Sequence, residues 1–261
     1  ESVFLRYSFM RIGIDCRLWN ETGVGRYVRN LVNNLQIVDG GNEHTLFVLS
    51  KDYEKLKSQN SKVKIIIADV KWHTIEEQLR FPQILNKENL DLVHFPYPSM
   101  PIFYNRFFVI TIHDLIPYRY PTGKASTLPL PVYKLKLLGY KFVIAQAAKK
   151  AEKIITVSNA TKKEIVDHLK VNANKIVVTY EGVDGEITNS KSQIPNKSQN
   201  TKYSILNTQY FLYVRNAYPH KNLEFMIDVF LDWVAETKAP HSLVLIGAKN
   251  YFYEKLEKKY K

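Results

Sequence analysis

Short runs of β-branched and apolar residues alternate with stretches of helical periodicity along almost the whole chain, and few folds accept that alternation. Strands are predicted at Arg11–Cys16, Thr45–Leu49, Lys64–Ala68, Leu92–Phe95, Phe107–Ile112, Lys153–Val157, Ile176–Thr179, Phe211–Val214 and Leu243–Ile246. Helical patterns lie near 24–38, 51–59, 74–86, 130–150, 159–169, 221–237 and 250–261. A strand that leads into a helix can pair in parallel with the next strand, so the pattern predicts an α/β fold built on doubly wound parallel sheets. Such sheets hold ligands beyond the carboxyl ends of their strands. Those ends are where functional side chains are to be sought.

At 261 residues, 45% of them hydrophobic, the chain can bury more than one core. The stretch "DGEITNSKSQIPNKSQNTKYS", Asp184 to Ser204, has no periodicity and is rich in Ser, Asn, Lys and Gln. A boundary is placed there: an amino-terminal domain over 10–183, a linker or surface loop over 184–208, and a partial second domain over 209–261. The last stretch, "YFYEKLEKKYK", is a helical pattern without a stop signal, so a continuation beyond Lys261 is expected. Residues 1–9, "ESVFLRYSF", lack the features of a signal peptide and are given no part in the fold.

The formal charge of +12 favours anionic partners: nucleic acid, an anionic membrane or phosphorylated small molecules. "KLKLLGYKFVIAQAAKKAEK", Lys134 to Lys153, carries six lysines against one glutamate, interleaved with Leu135, Leu137, Leu138, Phe142, Val143 and Ile144. That is a helix able to rest on anionic headgroups, or one with a solvated lysine face over a buried stripe. Nucleic acid is set aside, because no recognition motif is present and the aromatic residues fall mostly in apolar runs. No apolar run reaches the roughly 18–20 residues of a membrane span. The single cysteine, Cys16, leaves no internal disulfide framework, fits a reducing compartment, and reads as a core residue.

"NETGVGRY", Asn20 to Tyr27, follows the first predicted strand and opens a helix. Two glycines there leave backbone N–H groups aimed at one spot, which suits an anion. The plainer reading is a tight turn before an amphipathic helix. Val28 stands where the third glycine of a dinucleotide fingerprint would be, so that motif is incomplete. In "VITIHDLIPYRYP" a β-branched strand delivers His113 and Asp114 to its carboxyl end; the histidine can bond a sugar hydroxyl or phosphate, act as a base, or serve structure alone. In "TVSNATKKEI", Ser158 or Asn159 can cap a helix, and Thr161 and Glu164 have capping-box spacing. In "YFLYVRNAYPHKNLEFM", Arg215, Asn216, His220 and Lys221 lie between a strand and a helix, either as a diphosphate clamp or as solvated loop residues. No metal-ligand spacing appears.

In order, "GIDCRLWNETGVGRY", "TIHDLIP", "AEKIITVSNATKKEI", "VVTYEGVD" and "FLYVRNAYPHKNLEFMIDVF" resemble the family 4 retaining glycosyltransferases of GT-B fold, in particular their bacterial mannosyltransferase-like branch, over about Met10 to Lys261. The resemblance implies an amino-terminal Rossmann-like domain that holds the acceptor and a carboxy-terminal one, incomplete here, that grips a nucleotide-sugar across a cleft. It implies that Gly23, Gly25 and Arg26 meet donor or acceptor phosphate, and that His113 touches the transferred sugar. Lys221, with Arg215 and Asn216, would neutralise the donor diphosphate. No cofactor or metal is implied beyond the nucleoside diphosphate-sugar itself. The acceptor would be a glycan or lipid-linked oligosaccharide, in the cytoplasm or at the inner face of the membrane, and the branch suggests mannose. Two departures stand out. Arg215 precedes Asn216 where the family commonly has glycine before Arg or Asn, and the family's E-x7-E motif would fall downstream of Lys261. The alternative expectation is a shortened, non-catalytic relative that binds a glycan, a membrane or a partner.

Overall fold

The computed structural model describes residues 9–59, 63–124, 126–182 and 209–260. The predicted linker over 184–208 lies outside them. The chain divides into two compact units, one formed by residues up to Pro121 with Lys134–Gly182, the other by Thr122–Tyr133 with the residues from Val183 on.

The first unit runs β1 (Arg11–Asp15), α1 (Gly23–Val38), β2 (Glu43–Val48), α2 (Ser50–Gln59), β3 (Lys64–Ile67), α3 (Ile75–Asn86), β4 (Leu92–Phe95), β5 (Phe108–Ile112), α4 (Ile116–Arg119), α5 (Leu130–Lys150) from Lys134 on, β6 (Lys153–Thr156), α6 (Asn159–Leu169) and β7 (Ile176–Val178). The seven strands form one sheet in the order β3-β2-β1-β4-β5-β6-β7, and every pairing is parallel. From β1 the chain winds outward to β3, then crosses back to lay β4 on the other side of β1. At that reversal the loops after β1 and β4 part, which is where an open α/β sheet holds ligands.

The central strands are buried on both faces, whereas the edge strands β3 and β7 are partly open, with Ile67 and Val177 exposed. Along β2, Leu46 and Val48 enter one apolar cluster with Ile14, Val28 and Leu56, while Phe47 between them enters a second with Phe81, Phe95, Ile110 and Ile154. Side chains alternate across a strand, so neighbouring residues can reach opposite clusters only if helices cover both faces. Each fully buried side chain of this size contributes about 1.5–3 kcal/mol.

Helix ends follow local chemistry. Thr74 caps α3 by accepting from the Glu77 N–H, 3.2 Å. Ser158 is the cap of α6, accepting from Thr161 N–H at 3.1 Å, and Glu164 turns away to pair with Arg119 at 3.2 Å. In α5 the buried residues Ile144, Ala147 and Ala148 lie in the last two turns. Leu135, Leu138 and Phe142 are exposed, while Leu137, Tyr140 and Val143 are half-buried and Tyr140 packs against the main core, in line with the buried Ile144. No helix among the described residues is long and apolar enough to cross a membrane.

The second unit contains β8 (Tyr210–Val214), a 3-10 turn at Pro219–Lys221, α7 (Leu223–Thr237), β9 (Ser242–Ile246) and α8 (Tyr251–Tyr260). β8 and β9 pair in parallel, so this is one strand-helix-strand repeat of the same kind. Among the described residues its core is small: Ala217, Leu223, Ile227, Phe252 and Leu256.

Candidate active site

β5 ends at Ile112 and sets His113 at the carboxyl end of the sheet, one strand away from the reversal. Its ring is fixed from three sides. Nε2 lies 2.9 Å from the Pro96 carbonyl oxygen; that oxygen can only accept, so Nε2 carries the proton and donates. Nδ1 faces the carboxylate of Glu181 at 3.8 Å. Tyr27, from the first turns of α1, meets the ring edge-on with centroids 4.7 Å apart. The backbone is held as well, since Thr161 Oγ1 donates to the His113 carbonyl at 3.3 Å.

Beneath the ring runs a neutral relay. The Tyr27 hydroxyl bonds Thr111 Oγ1 at 3.2 Å, and Thr111 Oγ1 bonds His94 Nε2 at 2.8 Å. Burial, and secondarily the charge of His113, pushes the His94 pKa down to about 4, so it is uncharged at neutral pH. Burial also raises the Tyr27 pKa, with a further push from Glu181, against the lowering effect of the Thr111 bond. Chemically, the result is an imidazole of fixed direction whose Nδ1 can accept from a hydroxyl.

The two glycines of the turn before α1 do different things. A Cβ on Gly25 would meet the Trp19 carbonyl oxygen at 2.6 Å and that of Leu18 at 2.8 Å, so glycine is what lets the helix start close against the preceding turn. A Cβ on Gly23 would meet nothing within 4 Å. Thr22 makes no side-chain cap, and the first helical bond is Arg26 N–H to Thr22 carbonyl, 3.2 Å. The earlier N–H groups of the first turn therefore get no cap from that side chain. Arg29 donates to the Trp19 carbonyl and braces the same turn.

Arg17, just past β1, is a functional-end residue that sequence reasoning missed. Its guanidinium is buried and binds both oxygens of Asp15, at 2.9 and 2.7 Å, Glu77 at 2.7 Å and the Val70 carbonyl at 2.9 Å. It also lies 3.7 Å from the centre of the Phe81 ring. This network ties the loops after β1 and β3 to the start of α3. No pattern in the sequence signals it, because "CRLW" is an ordinary run until the topology brings Glu77 to it.

In the second unit, Arg215 and Asn216 follow β8 at once, and Lys221 closes the 3-10 turn before α7. Arg215 is exposed and Lys221 half-buried. Asn222 takes a left-handed conformation, φ 54°, between that turn and α7. The Asn216 Oδ1 is buried with no hydrogen-bond partner among the described residues, while the Asn216 carbonyl accepts from the Tyr213 hydroxyl at 2.9 Å. Thus the expected residues gather as two sets: His113 with the Gly23–Arg26 turn through Tyr27, and Arg215, Asn216 and Lys221 on one loop. Among the described residues, no three His, Cys, Asp or Glu side chains are grouped to hold a metal ion.

Residues 22–186 match the family model described as Glycosyltransferase Family 4. Among solved structures, a glycosyltransferase from Rickettsia africae ESF-5 is similar with a TM-score of 0.53 at 15% identity, covering 93% of this chain and 69% of that one. The apo form of the lipopolysaccharide outer core galactosyltransferase WaaB gives 0.51 at 17% identity, with 96% and 64% covered. S. aureus MnaA in complex with UDP gives 0.52 at 16% identity, with 96% and 66% covered. The chain therefore spans about two thirds of the length of these structures. No match is found among curated proteins. At such identities the likeness is one of fold, the GT-B type with its Rossmann-like α/β sheet.

Proposed function

Since the chain belongs to glycosyltransferase family 4, we propose that it transfers a sugar from a nucleoside diphosphate-sugar to a hydroxyl of a glycan or lipid-linked acceptor. On this reading the anomeric configuration is retained, mannose is the sugar, and the product enters polysaccharide or oligosaccharide biosynthesis at the cytoplasmic face of the membrane. The observation that carries it is His113, held at the carboxyl end of β5 with one ring nitrogen donated to Pro96 and the other facing Glu181. That is the place in a parallel sheet where ligands sit, and the group there suits a sugar hydroxyl.

Each set of residues has a distinct role. His113 touches the transferred sugar, with Tyr27 and Glu181 fixing its ring. As the glycosidic bond breaks, negative charge grows on the leaving diphosphate, and cations already in place lower that barrier. Lys221 and Arg215 supply the charge, Asn216 a polar contact, and the N–H groups at Gly23 and Gly25 with Arg26 receive phosphate. The exposed Leu135, Leu138 and Phe142, flanked by Lys134 and Lys141, suit peripheral contact with anionic lipid.

Release of nucleoside diphosphate from a panel of nucleotide-sugars, with acceptor glycans present, tests the transfer. His113→Ala and Lys221→Ala should each lower it at least about 100-fold; near-normal rates in both would overturn the assigned roles. Binding to vesicles containing phosphatidylglycerol, weakened by salt and by Leu135→Ser/Phe142→Ser, checks the lipid contact. A second reading, a glycan-, membrane- or partner-binding module without transfer, draws support from the thin core of the second unit. Any nucleotide release that depends on His113 would exclude it.

A further inference from the structure

The amino end of the first sheet, opposite His113, carries a surface that none of the roles above uses. Residues at the starts of β1, β4 and β5 line a groove of about 1080 Å³, to which Phe9, Met10, Leu90 and Phe107 give apolar walls and Asn105 and Arg106 polar ones. Large apolar residues face solvent there: Phe9 is 72% exposed and Phe107 66%. Ile37 and Val38, at the end of α1, and Phe103, in the loop before β5, are exposed as well. The Phe9 ring lies against Gly41, where a Cβ would stand 3.4 Å from it, so the groove adjoins the turn that follows α1. With the partly exposed Met10, these side chains present on the order of 600 Å² of apolar surface.

The surface is pinned from beneath. Arg11 meets Asp91 through its guanidinium at 3.2 Å and through its N–H at 2.8 Å, which locks the start of β1 to that of β4. The Met10 N–H donates to Asn42 Oδ1 at 2.9 Å. Lys150 donates to the Ile102 carbonyl at 2.7 Å and so holds the loop beside Phe103. Lys153 and Lys175 also turn to carbonyls, those of Asn174 and Lys149. Three lysines of this end are thus bound to backbone rather than turned outward to lipid headgroups. Two exposed charges of opposite sign remain beside the groove, Arg106 and Glu152, and neither makes a salt bridge among the described residues. They open neighbouring strands, since the Glu152 N–H donates to the Phe108 carbonyl at 2.8 Å.

An apolar groove with one free cation and one free anion beside it is complementary to a surface like itself. In a two-fold contact residue i meets residue j of the other copy, and j meets i. About an axis between the starts of β5 and β6, Arg106 faces Glu152 of the partner subunit and the pair forms twice. Phe103 and Phe107 of each copy then close over the other's groove. We propose that two copies of this chain pair through the amino ends of their first sheets. The size of the surface supports this: a stable interface covers about 800 Å² per partner, which the apolar patch with its polar rim approaches, while monomers rarely expose a contiguous apolar patch above a few hundred Å². Groups already fixed in place lose little freedom on docking. The two His113 sites lie at the far ends of their sheets and stay open, so the pairing does not depend on the transfer reading.

Sedimentation equilibrium on the 261-residue chain, over about 1 to 200 μM, tests it. The mass should rise from that of one chain to that of two. Phe107→Ser and Arg106→Glu should each weaken the pairing at least about tenfold, and adding Glu152→Arg to Arg106→Glu should restore it. All three residues are exposed, and unchanged circular dichroism would confirm that the variants fold. The mass of one chain at every concentration would overturn the pairing, and binding to anionic vesicles by that monomer would reassign the surface to lipid. A dimer that keeps its affinity in both single variants would overturn it too; loss of that dimer in Leu212→Ser would place the contact on the open face of β8. Nucleotide release from a donor is read separately and bears on the transfer alone.

Discussion

Ile110 and Leu212 each sit at the middle of a five-residue parallel strand, β5 and β8, yet Ile110 is fully buried and Leu212 is 53% exposed. Phe211 and Val214 of β8 are likewise 52% and 60% exposed. The sequences, FVITI and YFLYV, do not foretell this difference. A parallel strand is written for burial on both faces, and whether it is buried depends on the helices laid over it. In the first unit both faces of the central strands are covered, and the functional end of the sheet is a fixed platform. In the second, one helical crossover and α8 support a much smaller core, and the described residues leave much of the strand surface open.

The largest expected effect separates the ion pairs of the two units. Arg17→Met leaves Asp15 and Glu77 buried without their cation and should destabilise the protein by about 3–5 kcal/mol in urea titration. Lys259→Met, which removes the exposed pairs to Glu224 and Asp228, should leave the midpoint unchanged. A small effect at Arg17 would show that its network does not hold the first unit together.

Core truncation comes next. Ile110→Ala should cost about 2–5 kcal/mol, and Leu212→Ala less than about 0.5 kcal/mol. Equal losses would mean that β8 is covered after all.

A pH titration of stability sharpens the contrast further, because His94 belongs to the buried platform. Its folded pKa of about 4 lies below the ordinary 6.5, so the unfolded chain takes up a proton first as pH falls. Stability is full above about pH 6.5 and is lost between there and pH 4, by up to about 3 kcal/mol. His94→Gln should flatten that slope; an unchanged slope would remove His94 as its source.

The smallest contrast lies within one turn. Gly25→Ala should cost about 1–3 kcal/mol through overpacking against the Leu18 and Trp19 carbonyls. Gly23→Ala, which points into open space, should be close to neutral. Thermal melts of the two variants compare them directly.

Much of the fold was legible because its signals are local. Each predicted strand appears with ends shifted by no more than two residues, as at Thr45–Leu49 against Glu43–Val48. α4, Ile116–Arg119, was missed: four residues with a proline at the second position carry no period. The 221–237 pattern starts two residues before α7, taking in Lys221 of the 3-10 turn and Asn222, since basic loop residues lead directly into the apolar face. The site was legible only in part. His113 announces itself at a strand end, but its supports Tyr27, Thr111, His94 and Glu181 come from four places in the chain. They meet because β4 pairs with β5 in the register His94 to Val109 and because β1 lies beside β4. Arg17 and Glu77, sixty residues apart, depend on the same long-range order.

Hydrogen exchange read by mass spectrometry on the 261-residue chain tests most directly whether the sheet that carries His113 is the rigid one. Amides of β1, β4, β5 and β6 should exchange only through global unfolding, while those of β8 and β9 exchange at least about tenfold faster through local opening. Equal protection of the two sheets would contradict the division into a closed platform and an open second unit.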